Sequence, residues 1–316
     1  MSPVAAIGLG VPQDLSLPYF AYGLLRPGEF AHKSTVGSDL VRSVPATLLD
    51  ATLRYRDGLP LLDETTPIGR VQGDLLWVAG DGYQRIGEFE PRQHYRWAIR
   101  LVKIDGAGEV RANVLAGKSP RKGSSQETFE SWTSAEDPIL TFGISAVTEL
   151  AHEVALESFP VMPGTSPELW SRFFRLSATY LLLWSAVERY TALAFGPGLD
   201  PMDRVRRLDE SSSFHDAVLQ VGVDPGQRVV DSRDPASVRC IREDGSGAAQ
   251  YWYAVRSNLS HRGKSAFRDG QLLRRSLIDL HDVVKIVLDA QRPEVAAQWD
   301  YAPHDGLLRQ RAEPDA

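Results

Sequence analysis

The sequence predicts an α+β protein of two domains, a small mixed β-barrel followed by an all-α helical bundle. Three observations predict this. The chain has 316 residues, about two average domains' worth. Its first third consists of short apolar or alternating runs separated by turn residues, as strands of a small barrel would be. Beyond a polar stretch the apolar residues take up helical spacing. The expected boundaries are a tail over 1–16, the barrel over 17–117, a linker over 118–137, the bundle over 138–296 and a tail over 297–316.

Each element has its own signal. Pro18 to Leu24 is short and aromatic, Val71 to Val78 is largely apolar, and Arg96 to Ile104 alternates with branched residues, so all three read as strands. Arg26-Pro27-Gly28, Asp57-Gly58, Gly80-Asp81-Gly82 and Asp105-Gly106 punctuate them as turns. Gly117 to Asp137 is rich in Ser, Lys, Gly and Glu with few apolar residues, the composition of a linker. Ile139 to Phe159 reads as an amphipathic helix stopped by Pro160 and Pro163. Ser166 is the expected N-cap, and Pro167 the first position, of a second helix reaching Phe195. That helix is apolar nearly all round, which predicts a central place in its domain, and Gly196-Pro197-Gly198 ends it. Pro201 to Val221 gives a shorter helix and Gly222 to Gly247 a polar connection. A helix over Ala248 to Ser260 should stop at Gly263. The last helix, Leu272 to Ala290, carries the stripe Leu273, Leu277, Leu280, Val284 and Val287, and the chain after Pro293 is expected to be loosely held.

Composition narrows the function classes. Hydrophobic residues at 43% and charged residues at 24% suit a globular core. One cysteine, Cys240, rules out an internal disulfide framework. Met1 to Leu17 has neither a basic n-region nor a long apolar stretch, so no signal peptide is expected. The apolar run from Leu176 to Val187 is shorter than the roughly 20 residues a membrane span needs. A cytoplasmic protein without a membrane partner is therefore the expectation. The net charge of −6 argues against binding nucleic acid over the whole surface. Between 256 and 275, however, Arg256, Arg262, Lys264, Arg268, Arg274 and Arg275 face only Asp269, a local basic segment. The seven histidines lack paired ligand spacing, and no phosphate loop, dinucleotide fingerprint or nucleophile elbow is found, so neither metal nor cofactor is expected.

Two constellations carry chemistry. The first is Phe20-Ala21-Tyr22-Gly23-Leu24-Leu25-Arg26-Pro27-Gly28, a strand running into a glycine-bearing loop whose backbone N–H groups can approach an anion closely. It resembles the Tyr-Gly-(Ser/Thr)-Leu-Arg-x-Gly loop of the gamma-glutamylcyclotransferase family. Further segments follow in the family's order. Gly58-Leu59-Pro60 falls at its Gly-Tyr-Pro-like turn, and Val71-Gln72-Gly73-Asp74-Leu75-Leu76 resembles its Val-x-Gly-Glu-Leu strand. Ile86-Gly87-Glu88-Phe89-Glu90 resembles its Leu-Asp-x-Phe-Glu segment, with Arg96 at the spacing of a later arginine. The resemblance covers about Leu17 to Leu115. It implies a site at Tyr22, Gly23, Leu24 and Leu25 that holds a substrate α-carboxylate, and Glu90 as the proton-moving residue. Three positions depart from the family: Leu24 stands for a hydroxyl residue, Pro91 for a glycine and His94 for a tyrosine.

The second constellation is Arg256-Ser257-Asn258-Leu259-Ser260-His261-Arg262-Gly263-Lys264, an Arg-x-x-x-x-His motif at the end of a predicted helix. With the apolar helix before it and the basic exit after it, it resembles the motif of HEPN (Apea-like) ribonucleases, over roughly Ser166 to Ala290. The resemblance implies Arg256 and His261 as catalytic residues, Asn258, Arg262 and Lys264 as RNA-binding positions, and a homodimer. Imidazole moves protons near neutral pH, and guanidinium matches phosphate geometry. Five residues of helix turn through about 500°, so the two side chains share a face only if the helix breaks between them or two copies cooperate. Tyr251, Trp252 or Tyr253 could stack a base.

The expected function is a metal-independent endoribonuclease, a toxin or phage-defence effector, whose first domain binds or processes a gamma-glutamyl-like small molecule. Two alternatives stand beside it. One is a gamma-glutamyl cyclotransferase releasing 5-oxoproline, with the helices used for assembly. The other is a non-catalytic RNA-binding or scaffolding protein.

Overall fold

The computed structural model describes residues 8–65, 68–155, 157, 167–231, 236–262, 270–296 and 307–309, with backbone alone at 261, 262 and 296. The chain divides into two compact units, Met1–Pro138 with Ala192–Leu199, and Ile139–Thr191 with Asp200–Ala316. A mixed barrel precedes a mainly helical region, as α+β requires.

In chain order the first unit runs β1 (Tyr19–Ala21), α1 (His32–Thr35), β2 (Leu40–Leu49), β3 (Thr52–Arg56), β4 (Leu59–Asp63), β5 (Arg70–Val78), α2 (Gly82–Phe89), β6 (Tyr95–Ile104) and β7 (Gly108–Gly117). The strands close a barrel in the order β1-β5-β2-β6-β7. It is mixed because β1 runs antiparallel to β5 but parallel to β7, with Tyr19 opposite Asn113 and Phe20 opposite Val114. Phe20, Leu48, Val71, Leu75, Val102 and Val114 are buried. Gly73 allows β1 to approach β5, since a β-carbon there would lie 2.3 Å from the Ala21 carbonyl oxygen. Strands β3 and β4 form a separate hairpin. Its two-residue turn, Asp57 (φ 53°) and Gly58 (φ 74°), is left-handed at both positions, the geometry that follows strand twist and that Asp-Gly favours.

The stretch 118–137, expected as a linker, instead belongs to the first unit. Phe129 and Leu53 exchange backbone hydrogen bonds of 3.1 and 3.0 Å, and Gln72 N–H donates to the Glu130 carbonyl at 2.7 Å. Trp132 is fully buried. Phe129 stacks on the Tyr55 ring, and even the polar Ser134 and Asp137 are buried, so composition alone misread the segment.

The second unit comprises α3 (Ile144–Ala155), α4 (Pro167–Phe195, its last four residues in the first unit), α5 (Pro201–Asp209), α6 (Ser212–Val221), β8 (Arg228–Val230), β9 (Val238–Cys240), α7 (Ala248–Arg262), α8 (Gly270–Gln291) and α9 (Pro293–Ala296). A five-residue π-turn, Ile139–Gly143, opens α3. The expected helix over 201–221 is two helices. Asp200 caps the first, accepting from Met202 N–H at 2.8 Å, and Gly222 in the left-handed region ends the second. The expected polar connection contains the β8/β9 hairpin. On α8 the stripe Leu273, Leu277, Leu280, Val284 and Val287 is buried, as its spacing predicts. Helix α4 is covered on less than its whole circumference: Leu176, Tyr180, Leu183 and Val187 are buried, but Phe174 and Leu182 are exposed. The tail is partly docked, because Leu308 is buried and the N–H groups of Leu308 and Arg309 donate to the Asp282 carboxylate at 2.8 and 2.9 Å. Phe159, Ser166 and Gly263 lie outside the described residues. Among the described residues no helix is long and apolar enough to cross a membrane.

Candidate active site

The end of β1 leads directly into a pocket of the first unit. Its lining combines three tyrosines (Tyr19, Tyr22 and Tyr95), the loop Gly23–Leu25, the hairpin residues Leu59 and Pro60, Glu90, and Pro197. The loop is held by its carbonyl groups. Gly23 O accepts from Arg26 N–H at 3.0 Å, and Leu25 O accepts from the His32 ring at 2.8 Å. The Arg26 side chain anchors the exit, donating to Asp74 at 2.9 Å and to the Trp132 carbonyl at 3.4 Å. The N–H groups of Gly23, Leu24 and Leu25, by contrast, have no acceptor among the described residues. Adjacent unengaged N–H groups bordering a pocket suit an anion. Leu24 offers no side-chain hydroxyl, so this loop presents backbone donors there.

Glu90 follows α2 directly, its N–H donating to Ile86 O at 3.2 Å while its own backbone is already extended. The residue is half-buried, and desolvation pushes its carboxyl up to about 8. No hydrogen bond or ion pair engages that carboxyl among the described residues. Burial, and then the nearby Glu90 charge, raises the Tyr19 and Tyr95 phenols well above their ordinary value. Tyr95 donates to the Pro60 carbonyl at 3.1 Å and Tyr22 to the Leu115 carbonyl at 2.5 Å, so both rings are fixed walls. A carboxyl that is neither paired nor fully hydrated can exchange protons near neutral pH.

The predicted residues Tyr22, Gly23, Leu24, Leu25 and Glu90 therefore meet in one pocket. Arg96 is elsewhere, in an ion pair with Glu64 at 2.6 Å. His94 contacts Arg56 at 3.3 Å, and it is the next residue, Tyr95, that lines the pocket. Sequence reasoning missed Tyr19, Tyr95 and Pro197 as lining. The first two lay one residue outside the quoted motifs, and Pro197 registered only as a helix stop.

The second constellation is less assembled. Helix α7 continues through Arg262 without a break after Arg256, so Arg256 and His261 lie roughly 140° apart around one axis. Arg256 is half-buried, 3.5 Å from Glu188 and 6.0 Å from the Tyr253 ring centroid. Glu188 in turn accepts from the Trp184 indole at 2.9 Å. Asn258 donates to the Val230 carbonyl at 2.9 Å, which ties α7 to β8. Lys264 lies outside the described residues, and His261 and Arg262 occupy the last two helical positions. Tyr251 and Trp252 are fully buried and Tyr253 is 9% exposed, so none of the three presents a free face to a base. Arg274 donates to the Ala155 carbonyl at 2.7 Å, and Arg275 stands 3.4 Å from Asp224. Among the described residues no group of three or more His, Cys, Asp or Glu side chains is placed to hold a metal.

Comparison with known proteins bears on the first unit. An AIG2-like protein from Mus musculus, known from a crystal structure, shares 17% identity over 39% of this chain and 90% of its own, with a TM-score of 0.31. No curated protein matches the chain. Residues 19–134 match the sequence model of the gamma-glutamyl cyclotransferase, AIG2-like family. That span, which is similar to the gamma-glutamyl cyclotransferase, AIG2-like family, holds Glu90, the Gly23–Leu25 loop and the segment 118–134 that had read as a linker.

Proposed function

We propose that the first domain binds gamma-glutamyl amides and cyclises them, releasing 5-oxoproline and an amine. One observation carries this reading: the unpaired, desolvated Glu90 carboxyl shares a pocket with the unengaged N–H groups of Gly23 to Leu25. The backbone donors hold the substrate α-carboxylate. The α-amine forms a bond to the side-chain amide carbon, and the bond from that carbon to the amide nitrogen breaks. Glu90 takes a proton from the α-amine and returns one to the departing nitrogen, so the carboxyl ends as it began. A raised pKa suits a group that must both accept and donate. Liberation of 5-oxoproline from gamma-glutamyl dipeptides and alkylamides by the purified full chain, and its loss in Glu90→Gln, tests the reading. Wild-type protein that neither turns over nor binds any member of the panel would remove it.

A second reading concerns the helical domain, as a metal-independent HEPN-type endoribonuclease acting as a toxin or phage-defence effector. The observation favouring it is the placement of Arg256, half-buried beside Glu188 on a helix whose last turn holds His261. Because that helix is unbroken, an active centre using both residues calls for two copies of the chain. Cleavage of RNA in the presence of chelator, lost in both Arg256→Ala and His261→Ala, tests this reading.

A further inference from the structure

The Glu90 pocket has one lining residue from far outside residues 19–134. Pro197 sits in the Gly196-Pro197-Gly198 turn after α4, within Ala192–Leu199 of the first unit. The turn runs beside the segment that carries the carboxyl. A β-carbon on Gly196 would lie 3.2 Å from the Phe89 carbonyl oxygen and 3.3 Å from the Phe89 ring, and one on Gly198 would lie 3.8 Å from Cβ of Pro91. Gly196 and Gly198 thus flank Phe89 and Pro91, and Pro197 between them lines the pocket with Glu90. The position is fixed from several sides. Gly196 has φ +113°, a conformation that strains other residues, and its N–H closes the helix onto Ala192 O at 3.1 Å. Ser34 donates its hydroxyl to the Ala194 carbonyl at 3.3 Å. The proline ring is itself rigid.

We propose that Pro197 sets the upper size limit on what the Glu90 pocket accepts. This deepens the cyclotransferase reading and rests on it for the identity of the substrate. A rigid ring lining the same pocket as the carboxyl leaves room for a slender substituent on the gamma-amide nitrogen and excludes a bulky one. The pocket wall is then completed by a segment that the barrel's own sequence does not supply.

The test uses the full chain with gamma-glutamyl methylamide, butylamide and benzylamide. Pro197→Ala should raise the benzylamide-to-methylamide ratio of kcat/KM by about 10-fold or more, the usual scale of size discrimination by an apolar pocket. Pro197→Leu should lower it, so the idea is exposed even if one variant folds poorly. Unfolding midpoints and circular dichroism establish folding. A second readout needs no turnover: carbodiimide coupling of methylamine or benzylamine to Glu90, read by mass spectrometry with exposed Glu88 as reference. Pro197→Ala should raise the benzylamine-to-methylamine coupling ratio at Glu90. If wild-type protein turns over none of the amides while that ratio still rises, the size limit stands and the cyclotransferase reading fails. If folded Pro197→Ala matches wild type in every ratio obtained, Pro197 is not the size determinant.

Discussion

Gly23 stands against Pro60 so closely that a β-carbon on the glycine would lie 2.9 Å from Cγ of the proline ring. The contact joins the Gly23–Leu25 loop to the β3/β4 hairpin. It explains why glycine follows Tyr22 although the chain does not need a left-handed residue there.

Gly23→Ala should therefore displace either the loop or the Pro60 ring. Overpacking of this kind costs roughly 1–3 kcal/mol, read as a lower unfolding midpoint together with weakened cyclisation. Because the two residues touch, Pro60→Ala in the same chain should restore part of the loss, giving a non-additive double-mutant cycle. Strictly additive effects would mean that the loop does not depend on the hairpin.

Glu90 makes a pH prediction. Its carboxyl, raised to about 8 by desolvation, is mostly protonated at neutral pH. The base form appears as pH rises, so kcat/KM for a gamma-glutamyl amide should climb through a limb near 8 that Glu90→Gln lacks. The stability sign follows from the same shift. The folded pKa lies above the ordinary value of 4.5, so the associated stability is complete below that value and lost as pH rises through about 8. Unfolding midpoints of wild type should accordingly fall relative to Glu90→Gln between pH 5 and 9. Parallel curves would contradict a desolvated carboxyl.

The docked tail makes a third prediction. Asp282 is fully buried and accepts from Leu308 N–H, Arg309 N–H and the His281 ring at 2.8, 2.9 and 2.9 Å. Asp282→Ala removes all three hydrogen bonds, at about 1–3 kcal/mol for each buried group left unsatisfied. The unfolding midpoint should drop, and limited proteolysis should cut near 307–309 much faster than in wild type. Equal protection would mean that the tail is held by other contacts.

How much was legible in the sequence depended on whether the signal was local. Asp57-Gly58 specified its own turn, and the α8 stripe its own buried face. Tyr22 to Leu25 and Glu90 are far apart in the chain, and the resemblance to a family, not any local pattern, is what grouped them; they line one pocket. What failed to show was non-local. The 118–137 segment is mostly polar, and nothing within it reveals that Trp132 will be buried. Pro197 belongs to the pocket only because the chain returns to the first unit at the end of α4. The break between α5 and α6 at Glu210 and Ser211 was missed because no glycine or proline marks it.

The last prediction concerns Arg256. On the ribonuclease reading its guanidinium stabilises phosphate charge while His261 moves a proton. Loss of a proton-transfer group costs about 100- to 10,000-fold in rate, and loss of the cation should cost comparably. Arg256→Ala and His261→Ala should each nearly abolish cleavage in folded protein, with chelator without effect and products ending in a 2′,3′-cyclic phosphate or its opened form. Glu188 stands 3.5 Å from Arg256 and competes with phosphate for it, so Glu188→Gln should tighten RNA binding without creating a new site. Arg274 and Arg275 are engaged with Ala155 and Asp224, so their alanine variants should affect stability more than RNA affinity. The unbroken α7 sets the assembly requirement. With the two residues roughly 140° apart on one helix, light scattering of the active chain should report a dimer. Mixing Arg256→Ala protein with His261→Ala protein should restore part of the activity if one copy supplies what the other lacks. Cleavage by a strictly monomeric chain would eliminate the two-copy centre, and cleavage at the wild-type rate by folded Arg256→Ala protein would remove Arg256 from the chemistry altogether.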